Sequence, residues 1–175
     1  GGKKCVDFCK FNALAYVRNK PMLFPEVCHS CGGCLLVCPK EAVSEVDRSV
    51  GKVHQGNAGE NIFMSGLLNI GEASGMPIIH EVIRRIEKTD QDAIIDCSPG
   101  SGCMVMETVE QADYCIIVGE PTSFGCHNLK MVTELVRVYD KPFGVIINKY
   151  QNKENPTEMF LNEEGIPLLL TIPFD

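Results

Sequence analysis

The chain has 175 residues, 45% of them apolar and 22% charged, with a formal net charge of -7. That length holds one ordinary core, or a small module joined to a larger one. Recurring Val/Ile/Leu runs exclude a disordered chain, no apolar stretch approaches bilayer-spanning length, and the acidic balance argues against nucleic acid or an anionic membrane as the main partner.

Ten cysteines would point to disulfides in a secreted chain, yet six fall within the first 38 residues at metal-ligand spacing. No positively charged start leads into an apolar run and a small-residue cleavage site, so a reducing, cytoplasmic compartment is the expectation. Residues 5–46 carry a weak repeat. Cys5-x3-Cys9-x3-Ala13-Leu14 returns 29 residues later as Cys34-x3-Cys38-x3-Ala42-Val43, with Met22-Leu23-Phe24 a strand between the copies. Cys28-x2-Cys31-x2-Cys34-x3-Cys38-Pro39 has the spacing at which thiolates hold an iron-sulfur cluster. The first three thiolates wrap one face of a cubane, and Gly32 and Gly33 let the backbone approach the sulfides. A structural four-cysteine zinc site is the competing reading, since it also uses Cys-x2-Cys pairs. His29 finds no vacancy in a cysteine-saturated site and reads as a surface or hydrogen-bonding residue.

Further along, Asn61-Ile62-Phe63-Met64 and Leu67-Leu68-Asn69-Ile70 read as short strands or a hairpin. After Pro77, the stripe Ile78, Ile79, Val82, Ile83 and Ile86 predicts a helix with Arg84, Arg85 and Lys88 near its end. Ala93-Ile94-Ile95, Cys115-Ile116-Ile117-Val118 and Val145-Ile146-Ile147 are continuous apolar runs, separated by helical stretches near 103–112 and 127–139, with His127 opening the second. A helix near 156–164 and the run Leu168-Leu169-Leu170 complete a pattern that means a parallel sheet covered by helices. Cys97, Cys103, Cys115 and Cys126 are too widely spaced for another metal site, although Cys97 and Cys103 leave a redox role open.

The first cysteine run resembles that of two-cluster bacterial ferredoxins, in which the fourth cysteine serves the other cluster. By that resemblance Cys9 completes the site of Cys28, Cys31 and Cys34, and Cys38 goes with Cys5. A full first half would place cysteines three and six residues before Cys5, yet position 2 is Gly and the earlier position falls outside the chain. Gly1-Gly2-Lys3 reads as a truncated start or a cloning scar. If the sequence is whole, one 4Fe-4S cluster is expected and the second site is incomplete.

A second resemblance rests on segments in order: Asp92-Ala93-Ile94-Ile95-Asp96-Cys97-Ser98-Pro99-Gly100, Ala112-Asp113-Tyr114, Glu120-Pro121-Thr122-Ser123-Phe124-Gly125, Phe143-Gly144-Val145-Ile146-Ile147-Asn148-Lys149, Ile166-Pro167 and Ile172-Pro173-Phe174-Asp175. They resemble the MinD/ParA-like P-loop ATPases that carry an inserted ferredoxin domain. The resemblance implies that Asp96 is the catalytic acid holding magnesium through water, that Pro99 and Gly100 form the switch sensing the terminal phosphate, that Asn148 reads adenine and that Pro173 flanks the base. Nothing matches G-x-x-x-x-G-K-S/T, so the expectation is an internal fragment. Its parent would bind ATP and magnesium and hydrolyse ATP, while the piece itself would do so poorly or not at all.

The expected fold class is therefore α/β, a parallel sheet with flanking helices of the P-loop NTPase, MinD/ParA type, carrying a small α+β ferredoxin-like insert. Residues 1–48 form the cluster domain and 49–175 the partial nucleotide-binding domain. The expected function is to couple ATP binding and hydrolysis in the parent to electron transfer or cluster delivery, with a homodimer and a redox or iron-sulfur client as partners. The alternatives are a non-enzymatic electron or cluster carrier and a redox-sensing regulatory protein.

Overall fold

The computed structural model describes residues 3–151 and 153–174. Gly1, Gly2 and Asp175, which enter the patterns above, lie outside the described residues. The chain divides into two compact units, Gly1–Arg85 and Ile86–Asp175. The composition changes near 48, but the hairpin and helix that follow group with the Cys-rich segment and not with the parallel sheet.

In the first unit, helix α1 (Lys4–Phe8) leads into strands β1 (Leu14–Val17) and β2 (Lys20–Leu23), which form an antiparallel hairpin. Its two-residue turn, Arg18-Asn19, takes left-handed φ values of 46° and 64°, the backbone twist that closes a tight hairpin. A 3₁₀ turn at Pro25–Val27 precedes the cysteine loop, and the short helix α2 (Gly33–Leu36) follows it. The repeat is visible as two short helices carrying Cys5 and Cys34, but only the first copy runs on into a strand. Strands β3 (Gly51–Ala58) and β4 (Asn61–Leu68) pair antiparallel over their whole length. Helix α3 (Met76–Ile86) lays Ile78 on the hairpin at Gly51 and Gly66, where a side chain would leave no room for it.

The second unit is a small parallel sheet flanked by helices. Its strands β5 (Cys115–Gly119), β6 (Phe143–Tyr150) and β7 (Leu168–Pro173) lie in the order β5-β6-β7. Helix α4 (Cys103–Gln111) precedes the sheet, and helices α5 (Ser123–Val138) and α6 (Pro156–Glu164) form the crossovers. The helix starts have local causes. Thr122 caps α5 by accepting the Gly125 N–H at 2.9 Å, so α5 begins four residues before His127, which falls in its second turn. Asn155 caps α6 by accepting the Glu158 N–H at 2.9 Å, Pro156 starts it, and left-handed Gly165 ends it.

Val105, Val109, Leu129, Val136, Phe160 and Leu161 from the helices close over Ile117, Val145 and Ile147 from one face of the sheet. Val145 and Ile147 are 0% exposed. On the other face Ile116 and Val118 stay 60% and 61% exposed, although parallel sheets are ordinarily covered on both sides. The expected strand at Ala93-Ile94-Ile95 does not form: the segment pairs with nothing and Ile94 is fully exposed. An apolar run becomes a parallel strand only when a neighbour supplies its ladder, and among the described residues the sheet ends at β5.

Candidate cluster site and the carboxyl edge of the sheet

Between Cys28 and Cys34 the backbone changes hand twice, with Ser30 at φ 52° and Gly32 at φ 69°. Alternation of right- and left-handed residues turns successive N–H groups inward and makes the concave nests that favour anions, including those around iron-sulfur sites. Three thiols share this loop closely enough to feel one another. Burial pushes the Cys34 thiol up, and the charges of Cys28 and Cys31 push it further. Three thiolates together are costly in isolation, and a bound metal cation would offset that cost.

Cys9 closes α1, its N–H donating to the Val6 carbonyl at 3.2 Å. Two aromatic side chains next to it reach the cysteine loop. The Phe8 ring lies against Gly33, where any Cβ would collide with it, and the Phe11 ring stacks on His29 with centroids 3.9 Å apart and planes 12° from parallel. His29 is thus a stacking partner, a role for which sequence spacing carries no signal. Cys5 is buried where α1 packs on α2. Cys38 sits in a different setting. Backbone N–H groups, first that of Lys40 and then that of Ala42 at 3.3 Å from Sγ, hold its thiol below the ordinary value.

All ten cysteines are free, and the described residues 3–46 bury only Cys5 and Ala13 among their apolar side chains. So few buried groups cannot outweigh the entropy of ordering such a segment, and chains of this size normally rely on metal or disulfides. The donor set, soft thiols at ferredoxin spacing on a loop turned by Ser30 and Gly32, fits an iron-sulfur cluster. Among the described residues no three His, Cys, Asp or Glu side chains converge as a single metal ion needs.

In the second unit a cavity of about 270 Å³ opens at the carboxyl ends of β5 and β6, lined by Glu120, Pro121, Thr122, Lys149, Gln151, Lys153, Glu154, Asn155 and Phe174. Lys149 has φ 55°, next to a break in the β6–β7 register, and its N–H donates to the Asn148 side-chain oxygen at 2.9 Å. A lysine in the left-handed region is strained, and the Asn148 oxygen helps hold it there. Its ammonium reaches Glu120 Oε1 at 2.6 Å across the cavity. The Glu120 carbonyl in turn accepts a 2.7 Å hydrogen bond from the fully buried Thr157 hydroxyl. Tyr150 donates to Glu158 at 3.1 Å, which pushes its phenol up, and the Tyr150 carbonyl accepts the Phe174 N–H.

Of the expected nucleotide residues, Asn148 and Pro173 stand beside this cavity, each next to a lining residue, and Pro173 is in register with Tyr150. Asp96, Pro99 and Gly100 lie on an irregular segment and do not line it. Asp96 is exposed, Gly100 has φ 98°, and Cys97 packs on the core within electrostatic range of Cys115, at the amino end of β5.

No family model and no solved structure matches the chain. It is similar to two proteins of Methanocaldococcus jannaschii. The uncharacterized protein MJ0579 is 27% identical over 145 residues, 82% of this chain and 53% of that protein. The uncharacterized protein MJ0578 is 28% identical over 173 residues, 97% of this chain and 60% of that protein. The chain therefore spans between half and two thirds of the length of these curated relatives.

Proposed function

We propose that the Cys-rich segment, a ferredoxin-like module, holds one 4Fe-4S cluster through Cys9, Cys28, Cys31 and Cys34. We further propose that the sheet unit is the nucleotide-binding part of a protein of the MinD/ParA-like P-loop class, whose nucleotide state gates electron transfer or cluster delivery. The observation that carries the first half is the Cys28-x2-Cys31-x2-Cys34 spacing on a loop turned by left-handed Ser30 and Gly32. When bound, the cluster supplies one-electron chemistry. The chain would supply the thiolates and the turned loop, with Phe8 against Gly33 and Phe11 on His29 joining the Cys9 segment to that loop. Cys5 and Cys38 would be two ligands of a second, incomplete site.

Support for the nucleotide half comes from the cavity at the carboxyl ends of parallel strands, where open α/β folds take ligands. Asn148 and Pro173 beside it would read and flank a base. ATP and magnesium would be ligands of the whole protein, with Asp96 positioning the metal, and hydrolysis is proposed for that longer protein. A homodimer and a redox or iron-sulfur client in the reducing cytoplasm complete the reading, with no nucleic acid partner. One observation favours a non-enzymatic carrier instead: Asp96, Pro99 and Gly100 do not line the cavity.

The test has two arms. Anaerobic reconstitution of this chain is expected to give about four iron and four acid-labile sulfide per chain, and zinc without sulfide would overturn the cluster assignment. ATP binding and turnover by the longer protein, lost in Asp96→Asn, supports the ATPase. Cluster content without any ATP binding leaves the carrier.

A further inference from the structure

Cys9 is the remote ligand of the proposed site. It stands 19 positions before Cys28, and closing such a loop has an entropy cost that the local sequence must offset. Helix α1 is five residues long, too short to hold itself in place, and Cys9 lies at its end. Something beyond α1 must therefore fix the direction in which its thiol is offered.

Two side chains are placed to do this. Phe8 precedes Cys9 and lays its ring on Gly33, one residue before Cys34. Phe11 follows two residues later and stacks on His29, one residue after Cys28. The two contacts fall on either side of Cys31, so the segment carrying Cys9 is attached to the loop at two points. Phe8 is 48% and Phe11 42% exposed, so neither ring acts chiefly as a buried core side chain. Gly33 is explained by the same arrangement, since any side chain there would drive the Phe8 ring away.

We propose that Phe8 and Phe11 form an aromatic bracket that positions Cys9 as the fourth cluster ligand, with His29 serving as the stacking surface for Phe11. The inference rests on the cluster reading above and assigns none of these three residues to the metal. The bracket governs how firmly the Cys9-bound iron is retained, and so how readily the cluster is lost at that corner.

The experiment compares the reconstituted chain with Phe8→Ala, Phe11→Ala, His29→Ala and the ring-preserving variants Phe11→Tyr and His29→Phe. It reads iron and sulfide per chain, the 3Fe-4S signal in electron paramagnetic resonance after mild oxidation, and the rate of bleaching by a chelator. In the three alanine variants a 3Fe-4S signal is expected, with bleaching about threefold to tenfold faster, the range that loss of one aromatic pair implies. Phe11→Tyr and His29→Phe should match the unsubstituted chain, and the circular dichroism of the parallel-sheet unit should not change. Four irons with unaltered bleaching in Phe11→Ala and His29→Ala would overturn the bracket while leaving the cluster in place. Failure of His29→Phe to restore behaviour lost in His29→Ala would overturn the stacking role. An unsubstituted chain that takes up no iron or sulfide would remove the cluster reading and the bracket with it.

Discussion

The Cys-rich segment and the parallel-sheet unit are stabilised in different ways. The sheet unit closes Val145, Ile147, Leu129, Val136 and Leu161 into one apolar core, whereas residues 3–46 bury only Cys5 and Ala13 among their apolar side chains. Packing determines the first, and under the proposed cluster reading ligation geometry would determine the second, because so small a core cannot outweigh the entropy of ordering the chain around it. One sequence thus carries two kinds of stability, and they should fail separately.

Removal of iron gives the largest separation. Chelation under anaerobic conditions should abolish hydrogen-exchange protection across residues 3–46, while protection in β5, β6 and β7 stays unchanged; loss in both units together would erase the contrast. The converse is Ile147→Ala. It should destabilise the sheet unit by about 2–5 kcal/mol in thermal or denaturant unfolding, with iron per folded chain unaltered.

A smaller effect belongs to the cavity edge. Thr157→Val keeps the shape but leaves the Glu120 carbonyl without its buried donor, for an expected loss of about 1–2 kcal/mol in unfolding experiments, and it should leave cluster content untouched. The smallest effect concerns α3. Hydrogen bonds from Arg84 and then Arg85 hold the Glu81 carboxyl down at about 2. Because the folded pKa is depressed, its contribution is present above the ordinary glutamate range and is lost as pH falls toward about 2. In Glu81→Gln that part of the acid dependence should vanish from an acid titration of α3.

Much of the sheet unit was legible because its signals are local. Asn155, Pro156 and Gly165 punctuate α6, and the apolar runs of β5, β6 and β7 are strands. Ala93-Ile94-Ile95 carries the same kind of run and forms no strand, since a parallel ladder is set by a distant partner that an apolar pattern cannot reveal. Helix α5 begins early because Thr122, not the apolar stripe, sets its start. At the cysteine loop the spacing named the thiols, but not the Phe11–His29 stack, which joins residues 18 positions apart. The ion pair of Glu120 with Lys149 was hidden for the same reason, and the left-handed backbone at Lys149 has no signature in a lysine.

The central claim is that a distant cysteine, Cys9, and not the adjacent Cys38, completes the three-cysteine loop. Iron and acid-labile sulfide per chain, measured side by side in Cys9→Ser and Cys38→Ser after anaerobic reconstitution, test it most directly. The account predicts about four of each in Cys38→Ser and loss of the intact cluster in Cys9→Ser. An intact cluster in Cys9→Ser with loss in Cys38→Ser would show that the run closes its own site and would contradict it.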